Sequence, residues 1–416
     1  MRSDPADRDL PIDALRPPRR ALRVSVVTET YPPEVNGVAA TLWRVVEGLR
    51  GRGHEVQLIR PRQGPGDAPA DAGLDGHPAE VLMRGLPIPR YPQLKMGLPG
   101  GRALQELWTR QRPDVVHLVT EGPLGWSAMR AARRLKLPVV SDFRTNFHAY
   151  SRHYGMQWLH GPIMAYLRWF HNRAACTMVP TAGLARELHA RGFERLRVVA
   201  RGVDTRLFDP ARRSGRLRSA WGADSRTMVL LYVGRLAPEK NLGLLVDTYE
   251  AMCALAPGTR LVLVGDGPEA ATLRARCPSA LFAGLRRGED LAAHYASADA
   301  FVFPSLTETF GNVVPEAMAS GLAVLAYDCA AAGELIRHGT NGLLAPVDDS
   351  GAWVGQARRL AGEIDRARAL GRVAREHALA LSWERIVTLV EAEYDAALRW
   401  RPAGETGPVA AAAAAR

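Results

Sequence analysis

Short apolar runs rich in β-branched residues alternate with amphipathic helical stretches along most of the chain, and this alternation constrains its fold most strongly. In the first half, RVSVVTE (23–29), EVQLIR (55–60), VLMRG (81–85) and DVVHLVT (114–120) are typical of strands. The alternation of strands and helices begins again at TMVLLYVG (227–234), a continuous apolar run typical of a parallel strand buried on both faces. We therefore expect an α/β protein built from two doubly wound domains.

The chain of 416 residues is long enough for two cores of roughly 200 residues each. We expect a flexible N-terminal extension over residues 1–21, a first domain over 22–204 and a second domain over 205–380. A helix over 381–400 is expected to return to the first domain, and residues 401–416 to form a disordered tail. Ligands of such domains bind in the cleft at the carboxyl ends of the strands, so residues that follow strands are the informative ones.

Composition excludes several classes of protein. No apolar run approaches the roughly 20 residues that a membrane-spanning helix needs, and the N-terminus has no apolar signal-peptide region, so we expect the cytoplasm. Four widely spaced cysteines match neither zinc nor redox motifs and are expected to be reduced: Cys176, Cys253, Cys277 and Cys329. No closely spaced pair of aspartates is placed to carry a divalent ion, so we expect no obligatory metal and no other cofactor.

All of the net charge of +11 lies in the first half, where residues 1–204 contain 30 Lys and Arg against 19 Asp and Glu. Peripheral contact with an anionic membrane surface and an arginine-rich solvated surface explain this equally well. Basic residues are not interleaved with aromatic ones, which argues against nucleic acid. A predicted helix over 161–173 could lie on a membrane, although its stripe of Ile163, Leu167 and Phe170 is more typical of a core-facing helix.

Two cations follow the first strand of the second domain. Arg235 and Lys240 lie in VGRLAPEKN (233–241). A guanidinium and an ammonium in one loop suit a diphosphate, and they would stabilise the charge that builds up on a diphosphate leaving group. The alternative is a solvated loop in which Glu239 pairs with Arg235.

Two glutamates lie in the otherwise apolar segment PSLTETFGNVVPEAMASG (304–321). The pattern places Glu308 in a loop over the cleft and Glu316 one turn into a helix that begins at Asn312. Carboxylates accept hydrogen bonds from sugar hydroxyls, and a carboxylate without a partner is costly in an apolar stretch. We expect an anion or a sugar to face the amides that precede this helix, those of Thr309, Phe310 and Gly311.

Four segments, in this order, resemble motifs of family 4 of the retaining glycosyltransferases: GRLAPEKN (234–241), VGDGPE (264–269), TETFGNVVPEAMASGLAV (307–324) and AAGELIRHGTNGLLAPVDD (331–349). ARGVDTRLFDP (200–210) resembles the segment between the family's two domains, and the likeness covers about residues 22–400. The resemblance implies the GT-B fold, in which two Rossmann-like domains face a central cleft. It also implies transfer of a hexose from a nucleotide diphosphate donor with retention of configuration.

The resemblance also implies roles for individual residues. Arg235 and Lys240 would bind the donor diphosphate, and Glu316 the ribose hydroxyls. Glu308 would hold the donor sugar with the amides of Phe310 and Gly311. The residues implied to be catalytic are Arg144, Arg235, Lys240 and Glu308. The remaining residues implied to contact the donor are Asn36, Gly37, Asp266, Leu285, Arg286, Thr309 and Asn312.

Leu285 and Arg286 would lie against the nucleotide base, and Gly37 would let the backbone of the first helix approach the phosphate.

TETYPPEVNGVAATL (28–42) and SDFRTNFHAYSRHYG (141–155) resemble the branch that transfers mannose from GDP-mannose, or sometimes another sugar, to a lipid or glycan acceptor. Many relatives have a histidine where this chain has Arg144, and an arginine cannot act as a base. Either Arg144 serves as a charge contact or His148 takes the place of that histidine.

Three other functions stay open. The donor could be a UDP-sugar carrying glucose or sulfoquinovose, or the chain could bind a sugar nucleotide without turnover. An epimerase would need acid–base groups around the sugar ring, which the sequence does not reveal. A glycosidase would use Glu308 and Glu316 as a carboxylate pair, but the adjacent phosphate clamp argues against it.

Overall fold

The computed structural model describes residues 20–32, 34, 37–64, 66–69, 79–88, 91–144 and 160–400. These residues form two domains, each with a parallel β-sheet flanked by helices. The predicted α/β class with two parallel-sheet domains is confirmed.

The described part of the first domain contains a seven-stranded parallel sheet in the order β3-β2-β1-β6-β7-β8-β9. Its strands are β1 (Arg23–Val27), β2 (Glu55–Pro61), β3 (Glu80–Met83), β6 (Val115–Leu118), β7 (Val139–Asp142), β8 (Cys176–Val179) and β9 (Leu196–Val198). A separate antiparallel hairpin consists of β4 (Gly85–Ile88) and β5 (Tyr91–Gly97). The helices are α1 (Gly37–Arg50), α2 (Gly101–Arg110), α3 (Pro123–Arg134), α4 (His160–His171) and α5 (Ala182–Ala190).

The second domain has a six-stranded parallel sheet among its described residues, in the order β12-β11-β10-β13-β14-β15. Its strands are β10 (Val229–Val233), β11 (Arg260–Val264), β12 (Leu281–Gly284), β13 (Ala300–Phe303), β14 (Ala323–Tyr327) and β15 (Gly342–Ala345). The helices are α6 (Gly215–Ala220), α7 (Leu242–Leu255), α8 (Ala270–Arg276), α9 (Gly288–Ser297), α10 (Val313–Ala319), α11 (Ala330–Leu335), α12 (Ser350–Arg358) and α13 (Ile364–Leu379). Two single 3₁₀ turns, Pro210–Arg212 and Pro238–Lys240, precede α6 and α7.

In both sheets the first strand of the domain lies between its second strand and a later one. β1 pairs with β2 and β6, and β10 pairs with β11 and β13. The connections leave the sheet in opposite directions on the two sides of such a strand, which opens a crevice at its carboxyl end. The loops after β10 and β13 are therefore brought side by side.

Apolar burial explains why β10 is central. All five of its residues are buried, and Leu230 and Leu231 are completely enclosed. Each buried leucine contributes about 1.5–3 kcal/mol relative to an exposed one. A strand that is apolar on both faces is stable only with helices on both sides of the sheet.

The last described helix, α14 (Trp383–Arg399), returns to the first domain. Its Val387, Val390 and Tyr394 belong to the same core cluster as Leu42 and Val46 of α1. A Cβ on Gly48 of α1 would lie 2.5 Å from Val387, so only glycine permits this close helix packing. The carboxylate of Glu391 binds both Arg52, at 2.7 Å, and His54, at 2.9 Å.

Some local expectations were wrong. VLMRG (81–85) is not one strand, because β3 ends at Met83 and Gly85 begins the β4–β5 hairpin. A Cβ on Gly85 would lie 2.9 Å from the Cβ of Pro61, so the chain turns away from the end of β2 at a glycine. The sequence pattern also did not predict β9 and β15, which are short edge strands.

Helix α4 packs its apolar stripe into the first domain. Leu167 and Phe170 are at most 1% exposed, and Ile163 packs against the same cluster as Leu167. His171, on the same helix, is also buried and contacts Ser141 at 3.0 Å. The core-facing interpretation of this stripe is confirmed, and it is not available to a membrane.

Along the described ranges, no helix combines the length and apolarity that a bilayer crossing requires. The four cysteines are unpaired, as expected.

Candidate active site

The loop after β10 carries the two cations predicted to bind phosphate. Arg235 comes two residues after the strand, and Lys240 ends the 3₁₀ turn Pro238–Lys240. The Arg235 guanidinium forms an ion pair with Glu239, so the alternative pairing considered from the sequence does occur. The Glu239 side chain is 8% exposed and that of Arg235 is 43% exposed. The pair therefore anchors the guanidinium beside the end of β10 while nearly half of its side chain still faces solvent.

Lys240 and Glu308 come together from different loops. The Lys240 ammonium donates a hydrogen bond to Glu308 Oε1, and the Ser305 hydroxyl donates to the same oxygen at 2.9 Å. The Lys240 and Glu308 side chains are 16% and 17% exposed. The structure thus brings a residue predicted to bind phosphate, Lys240, into contact with a residue predicted to bind the sugar, Glu308. They meet because β10 and β13, which precede their loops, are neighbours in the sheet.

Two glycines allow the loops after β10 and β11 to pack closely. A Cβ on Gly265 would lie 1.9 Å from the carbonyl oxygen of Gly234, and one on Gly267 would lie 2.3 Å from that of Leu236. Asp266, between them, is exposed, and its carbonyl accepts the Leu236 N–H at 2.9 Å. The described contacts of Asp266 therefore hold the backbone of the loop that carries Arg235.

Glu316 lies in the first turn of α10 with one oxygen already bound. The Tyr295 hydroxyl donates a hydrogen bond to Glu316 Oε2 at 3.0 Å. Burial raises the pKa of Glu316 to about 7, although the hydrogen bond from Tyr295 opposes this rise. The side chain is partly exposed. Tyr295 fixes the carboxyl group, so its other oxygen is oriented to accept a hydroxyl hydrogen bond.

Three backbone amides lie in the loop just before α10. Phe310 is 2% exposed, and its carbonyl accepts the Ala331 N–H at 2.8 Å. Within the described ranges, the amides of Thr309, Phe310 and Gly311 donate no hydrogen bond to another residue. Unpaired amides that directly precede a helix are suited to an anion or a sugar hydroxyl.

Asn312 connects this loop to the first domain. Its Nδ2 donates to the Thr41 hydroxyl of α1 at 3.5 Å, and its Oδ1 accepts from Arg201 Nη1 at 3.3 Å. A Cβ on Gly37, the first residue of α1, would lie 3.4 Å from Asn312 Nδ2. The start of α1 thus lies directly across the cleft from the loop before α10. Asn36 was also predicted to contact the donor and lies outside the described residues.

Leu285 and Arg286 follow β12 and form an exposed edge of the second domain. Leu285 is 60% exposed. Arg286 donates from Nε to the Ala283 carbonyl at 2.9 Å and pairs with Asp290 at 3.1 Å. An exposed leucine beside a tethered guanidinium is compatible with a stacked base, and that role stays a prediction.

Arg144 is held by a buried network in the first domain. Its Nε donates to Asp142 Oδ2 at 2.6 Å, and His117 Nε2 lies 3.0 Å from the same oxygen. His117 Nδ1 in turn lies 2.8 Å from the Tyr394 hydroxyl of α14. Burial alone would raise the pKa of Asp142, but Arg144 and His117 together lower it to about 2. The carboxylate is therefore ionised and fixes the Arg144 guanidinium. His148, the alternative to Arg144, lies outside the described residues.

Sequence reasoning missed three contributors to this region. Ser305 binds Glu308, Tyr295 binds Glu316, and Arg201 binds Asn312. Ser305 was detectable as a polar residue two positions after the end of β13. Arg201 lies in the interdomain segment already noted, but nothing in its local pattern marks it as buried.

No group of three His, Cys, Asp or Glu side chains in the described part of the chain is arranged to hold a metal ion. The expectation that no metal is required stays a prediction. The chemistry that the described groups offer is ionic contact to phosphate, hydrogen bonding to hydroxyls and a fixed guanidinium from the opposite domain.

Two family models match the chain. Residues 35–207 match the family described as Glycosyltransferase Family 4, and residues 227–363 match Glycosyl transferases group 1. The first covers α1 and the strands of the first sheet other than β1. The second covers the loops that contain Arg235, Lys240 and Glu308 and the helix that contains Glu316.

The chain is similar to several named proteins. It is 39% identical to a GDP-mannose-dependent alpha-mannosyltransferase of Mycobacterium tuberculosis, over 79% of this chain and 85% of that protein. It is 37% identical to a protein of the same description from Mycolicibacterium smegmatis, over 91% of this chain and 98% of that protein. It is 30% identical to the sulfoquinovosyl transferase SQD2 of Arabidopsis thaliana, over 95% of this chain and 78% of that protein.

Solved structures show the same fold. The sucrose-phosphate synthase of Thermosynechococcus elongatus superposes with a TM-score of 0.72 at 20% identity, over 89% of this chain and 98% of that one. Anabaena HepE in complex with UDP and glucose superposes with a TM-score of 0.67 at 19% identity, over 90% of this chain and 99% of that one. These likenesses confirm the predicted GT-B fold.

Proposed function

Because the chain belongs to glycosyltransferase family 4 and is therefore a sugar-transferring enzyme, we propose that it transfers an α-mannosyl group from GDP-mannose to a lipid or glycan acceptor. The relatives named for GDP-mannose-dependent transfer support the donor, and they cover most of this chain. The observation that carries the proposal is the ion pair of Lys240 with Glu308, which joins the loops after β10 and β13.

In this proposal the donor lies along the carboxyl ends of β10 and β13. Its diphosphate contacts Arg235 and Lys240, its ribose contacts Glu316, and its base lies near Leu285. Its sugar contacts Glu308 and the amides of Phe310 and Gly311.

Transfer would then depend on stabilising the leaving group. As the sugar–phosphate bond breaks, negative charge grows on GDP, and two cations held in place beside it lower the barrier without reorganising. No described residue of this site is assigned as a nucleophile for the opposite face of the sugar. We therefore favour attack of the acceptor from the side of the departing phosphate, which would accept the acceptor's proton and retain the configuration. No divalent metal has a role in this scheme, so excess EDTA should leave turnover unchanged.

A UDP-sugar is the alternative donor and should be compared directly with GDP-mannose. The likeness to SQD2, named as a sulfoquinovosyl transferase, extends over 95% of this chain. The same contacts to diphosphate and ribose would serve a UDP-sugar, whereas the contacts to the base and to the sugar would differ.

The acceptor is proposed to be a lipid or a glycan that enters from the first domain. The excess positive charge of that domain is compatible with peripheral contact at the inner face of the cytoplasmic membrane. Flotation with vesicles that contain or lack anionic lipid tests this contact, because only anionic vesicles should carry the protein and added salt should release it.

The proposed function is tested by product formation. The protein is incubated with lipid and soluble extracts and with either GDP-[¹³C]mannose or UDP-[¹³C]glucose, and products are identified by mass spectrometry. The proposal predicts a labelled hexosylated product from the mannose donor, with α-configuration by NMR. A product from the UDP donor alone would overturn the donor assignment, and tight binding without product from either would overturn the enzymatic assignment for these donors.

A further inference from the structure

Arg201 differs from the other buried arginines of the described chain in having no carboxylate partner. Arg60 is bound by Glu80 and Asp67, and Arg218 is bound by Asp299 and by main-chain carbonyls. Arg201 is 7% exposed, yet its one hydrogen bond to a described residue is the 3.3 Å contact of Nη1 with the neutral amide of Asn312. A buried cation without a counter-charge is costly, so its retention here calls for a ligand.

The unused donors of Arg201 are not sealed inside the protein. None of the Arg201 nitrogens that lack a hydrogen-bond partner is fully enclosed by protein atoms. Arg201 also lines a cavity at the carboxyl edge of the first sheet. The guanidinium lies over the ring of Phe310, 5.6 Å from its centre, on the side of the predicted donor-sugar site. Its remaining N–H groups therefore open on space that a ligand can reach.

A second guanidinium lines the same cavity. Arg144 is 11% exposed and is tied by Nε to Asp142, which leaves its terminal nitrogens without a hydrogen bond to a described residue. Asp142 neutralises one of the two cations, so Arg144 and Arg201 together retain one positive charge. Burial and the nearby Arg144 lower the pKa of Arg201 to about 9, opposed by Asp142 and Glu308, which places all four groups in one electrostatic neighbourhood.

We propose that Arg144 and Arg201 form an oxyanion site in the interdomain cleft, separate from Arg235 and Lys240, that binds one phosphate or carboxylate group. Two guanidinium groups supply planar pairs of N–H donors, the arrangement best suited to such a group. The inference rests on the proposed function only for the source of the anion. That source is either the distal phosphate of the donor or an acidic group on the acceptor.

Four variants test the site. Arg201→Gln removes the positive charge but keeps an N–H donor for Asn312. Arg201→Lys keeps the charge but loses the planar pair of N–H donors. Arg144→Gln removes the second guanidinium. Arg206→Gln is the matched control, because Arg206 lies in the same segment but is exposed. All four are compared by melting temperature without ligand. Removing an unpaired buried cation should leave the Arg201→Gln protein at least as stable as the parent.

Binding of GDP and GMP is then measured by titration calorimetry, and the shift in melting temperature caused by inorganic phosphate is measured with and without saturating GDP. If the anion is the donor's distal phosphate, Arg201→Gln and Arg144→Gln should each weaken GDP by about tenfold or more and leave GMP unchanged. If it belongs to the acceptor, GDP affinity should stay unchanged. In that case phosphate should still stabilise the parent and the Arg206→Gln control in the presence of GDP, but neither charge-removing variant. Arg201→Lys should be intermediate.

Either pattern supports the site. The proposed site is overturned if Arg201→Gln and Arg144→Gln both leave GDP affinity unchanged and one further result is obtained. That result is either that phosphate does not raise the melting temperature of the parent, or that it raises the melting temperature of the variants as much as that of the parent. Arg235→Gln separates this outcome from failure of the donor assignment. If Arg235→Gln weakens GDP while the Arg201 and Arg144 variants bind GDP and phosphate as the parent does, the donor site stands and the second site does not. If the parent binds no GDP, the donor assignment fails, and the phosphate shift without nucleotide still tests Arg144 and Arg201.

Discussion

Lys240 and Glu308 are 68 residues apart in sequence and form an ion pair at the carboxyl ends of two neighbouring strands, β10 and β13. Both side chains are mostly buried, so each satisfies the other in the absence of ligand. A diphosphate would compete with Glu308 for the ammonium, and a sugar hydroxyl would compete with Lys240 for the carboxylate. The ion pair therefore prepares one site for two different parts of a sugar nucleotide.

Lys240→Ala should reduce turnover more than tenfold, since the ammonium is placed to stabilise the leaving diphosphate and each decade corresponds to about 1.4 kcal/mol of barrier. Turnover is measured as acceptor-dependent release of GDP. Lys136→Ala is the control, because Lys136 is an exposed residue two positions beyond the end of α3, and its substitution should leave the rate unchanged. Equal rates of GDP release for Lys240→Ala and Lys136→Ala would show that Lys240 does not contribute to catalysis.

Glu316→Gln should weaken GDP binding, because the carboxylate that Tyr295 orients is expected to accept the ribose hydroxyls. The specific measurement is a cycle with GDP and 2′,3′-dideoxy-GDP, both titrated against parent and variant. The parent should lose affinity when the hydroxyls are removed, whereas the variant should bind both ligands similarly. An equal loss in both proteins would show that Glu316 does not contact the ribose.

Stability should fall as the pH rises from about 4.5 to about 7. Burial raises the pKa of Glu29 and of Glu316 to about 7, against 4.5 for an ordinary glutamate. In this window the unfolded chain has released both protons and the folded chain still holds them, so the free energy of unfolding decreases with pH and levels off above about 7.

Urea denaturation of the ligand-free protein at intervals between pH 4.5 and pH 8 measures this slope. The double variant Glu29→Gln, Glu316→Gln cannot titrate at these positions, so its slope in the same window should be less negative. Parallel curves for parent and variant would refute the shifted pKa values.

Gly37→Val should weaken donor binding and lower turnover more than Gly37→Ala does. A Cβ at this position lies 3.4 Å from Asn312 Nδ2 and 3.9 Å from Arg201 Nη1, which is ordinary contact, so alanine fits. The extra methyl groups of valine have no such room between α1 and the loop before α10. Both variants are compared by GDP titration and by melting temperature. Similar affinities for the two would mean that α1 does not approach the donor.

The central strands of the second sheet were predictable because they are apolar on both faces and hence continuous in sequence. β10 and β14, for example, are buried at every position. The hairpin of β4 and β5 was not predicted, because it is short, contains Pro87 and gains its place from contacts with β2 and α3 that local sequence does not encode. The edge strands β9 and β15 are three and four residues long and give too little pattern to detect.

The candidate site was predictable where function demands polar residues directly after strands. That rule identified Arg235, Lys240 and Glu308. It missed Arg201, because the burial of a charged side chain depends on Asn312 and Phe310 of the other domain, more than 100 residues away. The link from Arg144 through Asp142 and His117 to Tyr394 was equally invisible, since it needs α14 to return across the first domain.

A crystal structure of the protein with GDP tests most directly whether the second domain grips a diphosphate through its two cations. We expect diphosphate oxygens within about 3 Å of the Arg235 guanidinium and the Lys240 ammonium. We expect the ribose hydroxyls to contact Glu316. A nucleotide bound elsewhere, or bound here with both cations turned away from its phosphates, would contradict the proposed mechanism.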